Sequence, residues 1–287
     1  MALDLSTIGY ETRPHALAFD FRTLATYALG VGAKRDELDY LYENTSGGMK
    51  VLPSFGVVPA HAPVVEVLGK TQGNLAMIVH GAQTVRAFRS LPDRGTLETV
   101  GKLTALYDLK KFATAIIQTT TTLDGEKVYE TLWSIIFRGE GGFGGPRPPA
   151  EGPDGPTPSV PKDRAPDWTV EERTSPEQAL LYRLSGDLNP LHADPVFAAN
   201  VGFTQGPILH GLCTFGFLAR AVVKHACGGD PRRLRSLTAQ FRKPVWPGDT
   251  LAMSGFDVGE GRVALTTSVK EREEAVLGGA HATIESR

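Results

Sequence analysis

From Gly139 to Asp167 the chain reads GEGGFGGPRPPAEGPDGPTPSVPKDRAPD, and this stretch divides everything else in two. Glycine and proline dominate it, and Phe143 and Val160 are its only large apolar residues. So little apolar surface cannot offset the entropy of ordering, so the segment reads as a surface linker. A glycine-rich phosphate loop competes with that reading. Such a loop needs Lys-Ser or Lys-Thr after its last glycine, at a strand-to-helix turn, and Pro146 and Pro148 spoil the pattern. The 287 residues are therefore expected to form an N-terminal half over 1–138, a linker over 139–167 and a C-terminal half over 168–287. Two packed cores are feasible at that length.

The halves echo one another. Phe19-Asp20-Phe21-Arg22 leads into the apolar run Leu24–Gly30, and Ser175-Pro176-Glu177-Gln178 leads into Ala179–Gly186. Ser175 is placed to cap a helix starting at Pro176, a favoured first position. Further on, Phe88-Arg89-Ser90-Leu91-Pro92-Asp93-Arg94-Gly95 resembles Phe241-Arg242-Lys243-Pro244-Val245-Trp246-Pro247-Gly248-Asp249, each a turn feeding a strand. The pattern is that of a diverged duplication.

Strands carry the clearest local signal. Ile116–Leu123 is rich in β-branched residues and ends at Asp124-Gly125, a hairpin turn, which makes 128–137 its partner. Leu237, Ala239 and Phe241 alternate with Thr238, Gln240 and Arg242, the period of a half-buried strand. Val263–Val269 and Ala280–Ile284 are expected to complete a meander with it. Just before these strands, Leu212–Val223 is apolar around most of its circumference, as in a buried helix. A buried helix followed by a curved antiparallel sheet suggests the hot-dog arrangement, a sheet wrapped around a helix.

Composition narrows the function. A net charge of -2 gives no reason to expect a nucleic-acid partner. No apolar run approaches the roughly 18 residues of a membrane span, and Met1-Ala2-Leu3-Asp4-Leu5 is no secretory signal. Glu285-Ser286-Arg287 is not a peroxisomal address, so the cytoplasm is the expected location. Cys213 and Cys227, the only cysteines, form no CxxC pair and read as reduced, buried thiols.

The chemistry concentrates in Gly186-Asp187-Leu188-Asn189-Pro190-Leu191-His192. Asn189-Pro190 favours an extended turn, so Asp187 and His192 sit on a loop after a helix, where a carboxylate and an imidazole can converge on one water. The residues equally fit a polar turn in which Asp187 caps and His192 packs. His192-Ala193-Asp194 suggests a metal, but no further His or carboxylate lies at ligand spacing, and no metal is expected. Pro207-Ile208-Leu209-His210-Gly211-Leu212 then opens the buried helix. Unpaired N–H groups and a positive dipole there suit a carbonyl oxygen gaining charge, though Gly211 also fits a plain tight helix start.

Taken together, Asp187-x-Asn189-Pro190-x-His192 and Ile208-Leu209-His210-Gly211-Leu212-Cys213-Thr214 resemble the signature of the (R)-specific enoyl-CoA hydratases, hydratase 2, within the MaoC-like dehydratase family. The likeness is strong over 178–249 and weaker at Val79-His80-Gly81-Ala82-Gln83 and Gly141-Gly142-Phe143-Gly144-Gly145. It implies an α+β double hot-dog fold, two antiparallel sheets each wrapped around a helix. Only the C-terminal half would keep the catalytic loop; near Gly32, the position that matches Asp187, there is no acid. The N-terminal half would widen the acyl tunnel. Asp187 and His192 would be the catalytic pair, Asn189 would orient the water or the imidazole, and the Gly211 N–H would bind the thioester oxygen. His80, Gly81 and Phe241 match positions that touch the CoA ligand. A family lysine in the first half corresponds to Lys110, although Asp108-Leu109-Lys110-Lys111-Phe112 departs from the pattern, and Lys111 competes for the role. Arg242 and Lys243 face either CoA phosphates or solvent. The implied reaction is hydration of a trans-2-enoyl-CoA without a cofactor, coenzyme A entering as part of the substrate. The expected partners are that thioester and a second copy of the chain in a homodimer. A hot-dog thioesterase and a non-catalytic acyl-CoA-binding subunit are the competing readings.

Overall fold

A computed structural model of the chain describes residues 3–149 and 155–285. The middle of the Gly/Pro segment, 150–154, and the end residues used for the targeting readings (1, 2, 286 and 287) lie outside the described residues.

Among the described residues, ten strands form one antiparallel sheet: β1 (His15–Phe19), β2 (Ile78–Ala87), β3 (Gly95–Asp108), β4 (Phe112–Leu123), β5 (Glu126–Arg138), β6 (Trp168–Arg173), β7 (Leu234–Phe241), β8 (Thr250–Asp257), β9 (Arg262–Val269) and β10 (Glu274–Ile284). Their order is β1-β3-β4-β5-β2-β7-β10-β9-β8-β6. The list reads the same from either end once β1, β2, β3, β4 and β5 are matched with β6, β7, β8, β9 and β10 in turn, so the duplication heard in the two turns extends to the whole topology. The fold is the α+β double hot-dog, with one difference. The two five-stranded halves are not separate sheets: β2 pairs with β7, with Ala82 opposite Gln240 and the Thr84 and Thr238 hydroxyls 2.9 Å apart. This seam also corrects the expected meander. β8, β9 and β10 run in sequence, but β7 pairs with β10 and β2 instead of β8.

Local chemistry explains the elements. Between β4 and β5, Asp124 (φ 53°) and Gly125 (φ 79°) make the two-residue turn whose twist matches a hairpin. The strands are longer than β-branching alone indicates, because buried threonines satisfy each other: Thr119 with Thr131 at 2.7 Å and Thr99 with Thr121 at 3.0 Å. Among the described residues, five α-helices complete the fold: α1 (Phe21–Gly30), α2 (Val57–Lys70), α3 (Gln178–Tyr182), α4 (Pro195–Asn200) and α5 (Gly211–His225). Asp20 caps α1 by accepting from the Arg22 and Thr23 N–H groups. The helix expected from Pro176 instead begins at Gln178, because the Ser175 hydroxyl takes the Glu177 N–H in a preceding turn. All of 212–223 in α5 is buried, as its apolar circumference predicts. Its first-half counterpart α2 has no such signature, since Pro59 and Pro63 read as breakers. It survives because it lies against β3, where Gly101 lets Pro63 come close: a Cβ at 101 would stand 3.1 Å from the proline.

The halves are locked where α1, α3 and α5 meet. Gln178 Nε2 donates to the Leu29 and Gly30 carbonyls at 3.1 and 2.7 Å. The Cys213 thiol, free like that of Cys227, donates to the Gly30 carbonyl. Arg220, 2% exposed, donates to the Val31 carbonyl and pairs with Glu37 at 2.6 Å and with Glu172. Among the described residues, no helix is long and apolar enough to cross a membrane.

The Gly/Pro segment is pinned at both ends. The Asp108 carboxylate accepts from the Gly142 and Gly144 N–H groups, both at 2.8 Å, and Phe143 packs on the core. At the other end Arg164 holds Asp167 and the Asp257 carbonyl. Replacing 148–160 by a Gly/Ser stretch of equal length should leave the melting temperature within about 3 °C, because Val160 is the only large apolar residue in that sequence. A larger drop in a thermal melt would show that the segment is packed.

Candidate active site

Gly186 (φ 121°) ends the turn after α3 and swings Asp187 off the helix axis. Gly32 (φ 83°) does the same after α1, and Ala33 follows it where Asp187 follows Gly186. Beyond Asp187 the loop folds on itself. The Asn189 N–H donates to Asp187 Oδ1 at 3.1 Å, and Asn189 Oδ1 accepts from the Leu191 N–H at 3.0 Å, capping the short turn Pro190–His192. Asn189 thus braces the loop between Asp187 and His192 through bonds to the backbone.

His192 is 7% exposed, and its Nδ1 donates to the Ile208 carbonyl at 2.8 Å. A carbonyl only accepts, so that bond fixes the proton on Nδ1 and leaves Nε2 as a bare base. His210, 1% exposed, stacks on His192 with ring centroids 3.7 Å apart and gives its Nε2–H to the Asp187 backbone carbonyl at 3.2 Å. One donor atom each of Asp187, His192 and His210 fall within 4.8 Å of one another, the only such group of potential metal ligands among the described residues. The expectation that nothing else lies at ligand distance is therefore corrected, for a physical reason: His210 arrives through the fold, eighteen residues away from His192 along the chain. Asp194, the other metal candidate, caps α4 by accepting from the Val196 and Phe197 N–H groups.

Electrostatics separate the pair. Burial pushes the Asp187 pKa up, but His210, His61, His192 and the Asn189 N–H outweigh it and hold the carboxyl below its usual 3.8. Burial lowers the His192 pKa below 6.5, against the opposing pull of the Ile208 bond and the Asp187 charge. Burial, followed by the neighbouring His192, takes His210 down to about 3. At neutral pH the site holds an ionised carboxylate beside neutral imidazoles.

The other sequence candidates divide. Gly211 is the first residue of α5, and a Cβ there would stand 2.9 Å from the Phe241 ring. Phe241 also lies against His80 at 4.7 Å, and His80 stacks on Trp133 at 4.9 Å with its Nε2–H on the Ala82 carbonyl. Burial takes His80 down to about 4, and it lies close enough for the Asp187 charge to oppose that. Gly81 sits in a bulge of β2, where a Cβ would be 2.7 Å from Ile136, so packing requires this glycine whatever else it touches. Lys110 stands apart, exposed in the β3–β4 turn with φ 68° and its N–H on Asp108. Arg242 is held by Gln240, and Lys243 faces Glu274 at 3.5 Å. One group escaped the sequence reading: His61 of α2, whose Nε2 is 3.9 Å from Asp187 Oδ1. Four of the seven histidines thus surround one carboxylate. Beside His192 a cleft of about 410 Å³ opens between Leu180, Gln205, Pro207 and Trp246.

Comparison with known proteins matches residues 17–139 to the MFE-2 hydratase 2 N-terminal domain and 159–278 to the MaoC like domain. A probable enoyl-CoA hydratase 2 of Dictyostelium discoideum is 35% identical over 99% of this chain and 98% of its own length. A 3-hydroxyacyl-thioester dehydratase Y of Mycobacterium tuberculosis is 38% identical over 94% of this chain and 92% of its own length. Among solved structures, a MaoC-like dehydratase from Phytophthora capsici superposes with a TM-score of 0.87 at 33% identity, covering 99% of this chain and 98% of that one.

Proposed function

The chain belongs to the MaoC-like family, in its hydratase 2 branch, and from that premise we propose that it is an enoyl-CoA hydratase, adding water reversibly to trans-2-enoyl-CoA in fatty-acyl metabolism to give the (3R)-3-hydroxyacyl-CoA. The observation that carries the reading at the level of residues is an ionised Asp187 beside a neutral His192, at the start of a helix opened by Gly211. Both groups begin the cycle as bases. The proton delivered to C2 must then come from the water itself. The pair holds that water, and one member takes its proton as the oxygen bonds to C3. The electron pair of the C2–C3 double bond moves toward the thioester, whose oxygen gains charge at the N–H groups opening α5. The same proton then passes to C2, and one water has been added with nothing left over. No cofactor is needed. His80 and Phe241, packed together beside Gly211, border the thioester, and the cleft beside His192 offers room for the rest of the ligand. A homodimer, and the cytoplasm as its place, belong to the same proposal.

Stereochemistry tests it. Two groups on one loop act from one side of the alkene, so water and proton should add syn. Crotonyl-CoA hydrated in D₂O should give 3-hydroxybutyryl-CoA of 3R configuration on chiral separation, with the C2 deuterium on the face that received oxygen. A 3S product would remove the hydratase 2 assignment, and a 3R product with anti addition would remove the single-water pair. Free thiol released in the same incubation would favour the thioesterase reading.

A further inference from the structure

We infer that His61, on helix α2 of the half without the catalytic loop, is a positioning residue for the reaction, steadying the charged Asp187 carboxylate from across the junction of the halves. The inference rests on the reading of Asp187 as a catalytic group. Its basis is geometric. His61 Nε2 stands 3.9 Å from Asp187 Oδ1, a gap that a small side-chain rotation closes to a hydrogen bond or one water spans. Asp187 needs such a partner: among the described residues, its carboxylate accepts a hydrogen bond only from the Asn189 N–H.

The groups facing Asp187 come from five places: Tyr182 of α3, His80 of β2, His192 on the loop, His210 before α5 and His61 of α2. Three of the four histidines spend a ring nitrogen on a backbone carbonyl, His192 on Ile208, His210 on Asp187 itself and His80 on Ala82. His61 does not; its ring is turned to the carboxylate. With 30% of its side chain exposed, against 25% for Asp187, it also forms the solvent-facing edge of the cluster.

The backbone under His61 is stiff. Pro59 and Pro63 bracket it at two residues on either side, and each fixes its own φ. Pro63 is seated on the β3 backbone at Gly101. Arg220 and Gln178 tie the halves together, so α2 and the catalytic loop are held in register. The first half therefore contributes to the chemistry as well as to the walls of the site.

The test uses the full chain with His61→Gln, which keeps a hydrogen-bonding side chain but cannot be charged, and His61→Ala, with Asp187→Asn as control. Without His61 the carboxylate protonates more easily, so the acid step of kcat/KM for crotonyl-CoA that Asp187 sets, separate from the one that His192 sets, should move up by about half a pH unit in both variants. That corresponds to roughly a threefold loss on the acid side, while KM at neutral pH stays within about twofold. An acid limb that does not move, or a loss of equal size at every pH, in both variants overturns the inference whatever their melting temperatures do. Near-wild-type turnover in Asp187→Asn would instead overturn the reading of the site, and the two failures are told apart in one set of assays.

Discussion

Hydration of crotonyl-CoA falls by about 10²- to 10⁴-fold in Asp187→Asn and in His192→Gln, the range that a positioned acid–base group contributes. Asp187→Asn is nearly isosteric, and its side-chain oxygen still accepts the Asn189 N–H that shapes the loop. What it loses is the charge. His192→Gln retains a side-chain N–H for the Ile208 carbonyl, which an alanine would leave without its partner. Both variants should melt within about 2 °C of the parent, the ordinary consequence of a conservative loop substitution. The pH profile carries a second readout. His192 has its pKa lowered by burial, so in the parent enzyme the neutral base persists below the usual imidazole value of 6.5, and the rate is lost only as pH falls through the lowered value. Steady-state rates from pH 5 to 9 check this. Turnover near the parent level in either variant would remove the pair from the mechanism.

Arg220→Met costs about 3–5 kcal/mol of stability, the usual result of stranding buried charge, which for a chain of this size lowers the melting temperature by roughly 5–15 °C. Arg220 is 2% exposed at the side chain, and its partners Glu37 and Glu172 are 10% and 9% exposed. Glu172 lies on β6 and Glu37 follows α1, so the triad joins the halves beneath α5. Methionine fills the volume but leaves two carboxylates facing each other in a poorly hydrated space. Adding Glu37→Gln and Glu172→Gln to Arg220→Met removes that repulsion and should recover at least half of the lost stability. Calorimetry of the single and triple variants decides it: a triple no more stable than the single would mean that the loss came from packing around the guanidinium and not from charge.

Local features were legible in the sequence, and features made by distant segments were not. The Asp124-Gly125 hairpin, the buried course of α5 and the loop from Asp187 to His192 each depend on neighbours in the chain, and each stands where the residues indicate. The echo between the turn after Phe88 and the turn after Phe241 was a short-range trace of a symmetric sheet. The pairing of β7 with β2 left no such trace, because register between distant strands is set by packing partners that periodicity does not name. α2 was hidden because proline chemistry argues against a helix, and the close fit of Pro63 on Gly101 of β3 is made by a distant segment. His61 stayed hidden with it. His210 was in plain view inside the Gly211 motif, yet nothing local says that its ring stacks on His192 and grips the Asp187 carbonyl. The hydrogen bonds by which Asn189 braces the loop between Asp187 and His192 are visible only in three dimensions.

The seam between β2 and β7 also sets the order in which the protein can be made. Its paired threonines, Thr84 and Thr238, are 154 positions apart, so closing it requires the chain to have left the ribosome through the end of β7, well into the second half. Contacts of such long range form late and slowly. Until then β2 is an open edge, with a row of unpaired N–H and carbonyl groups ready to join any other strand. A nascent or truncated first half is accordingly a species for chaperones, with His61 in place and no Asp187 to face it. The first half meets the loop from Asp187 to His192 only when the two halves dock, and that docking is what brings His61 to Asp187.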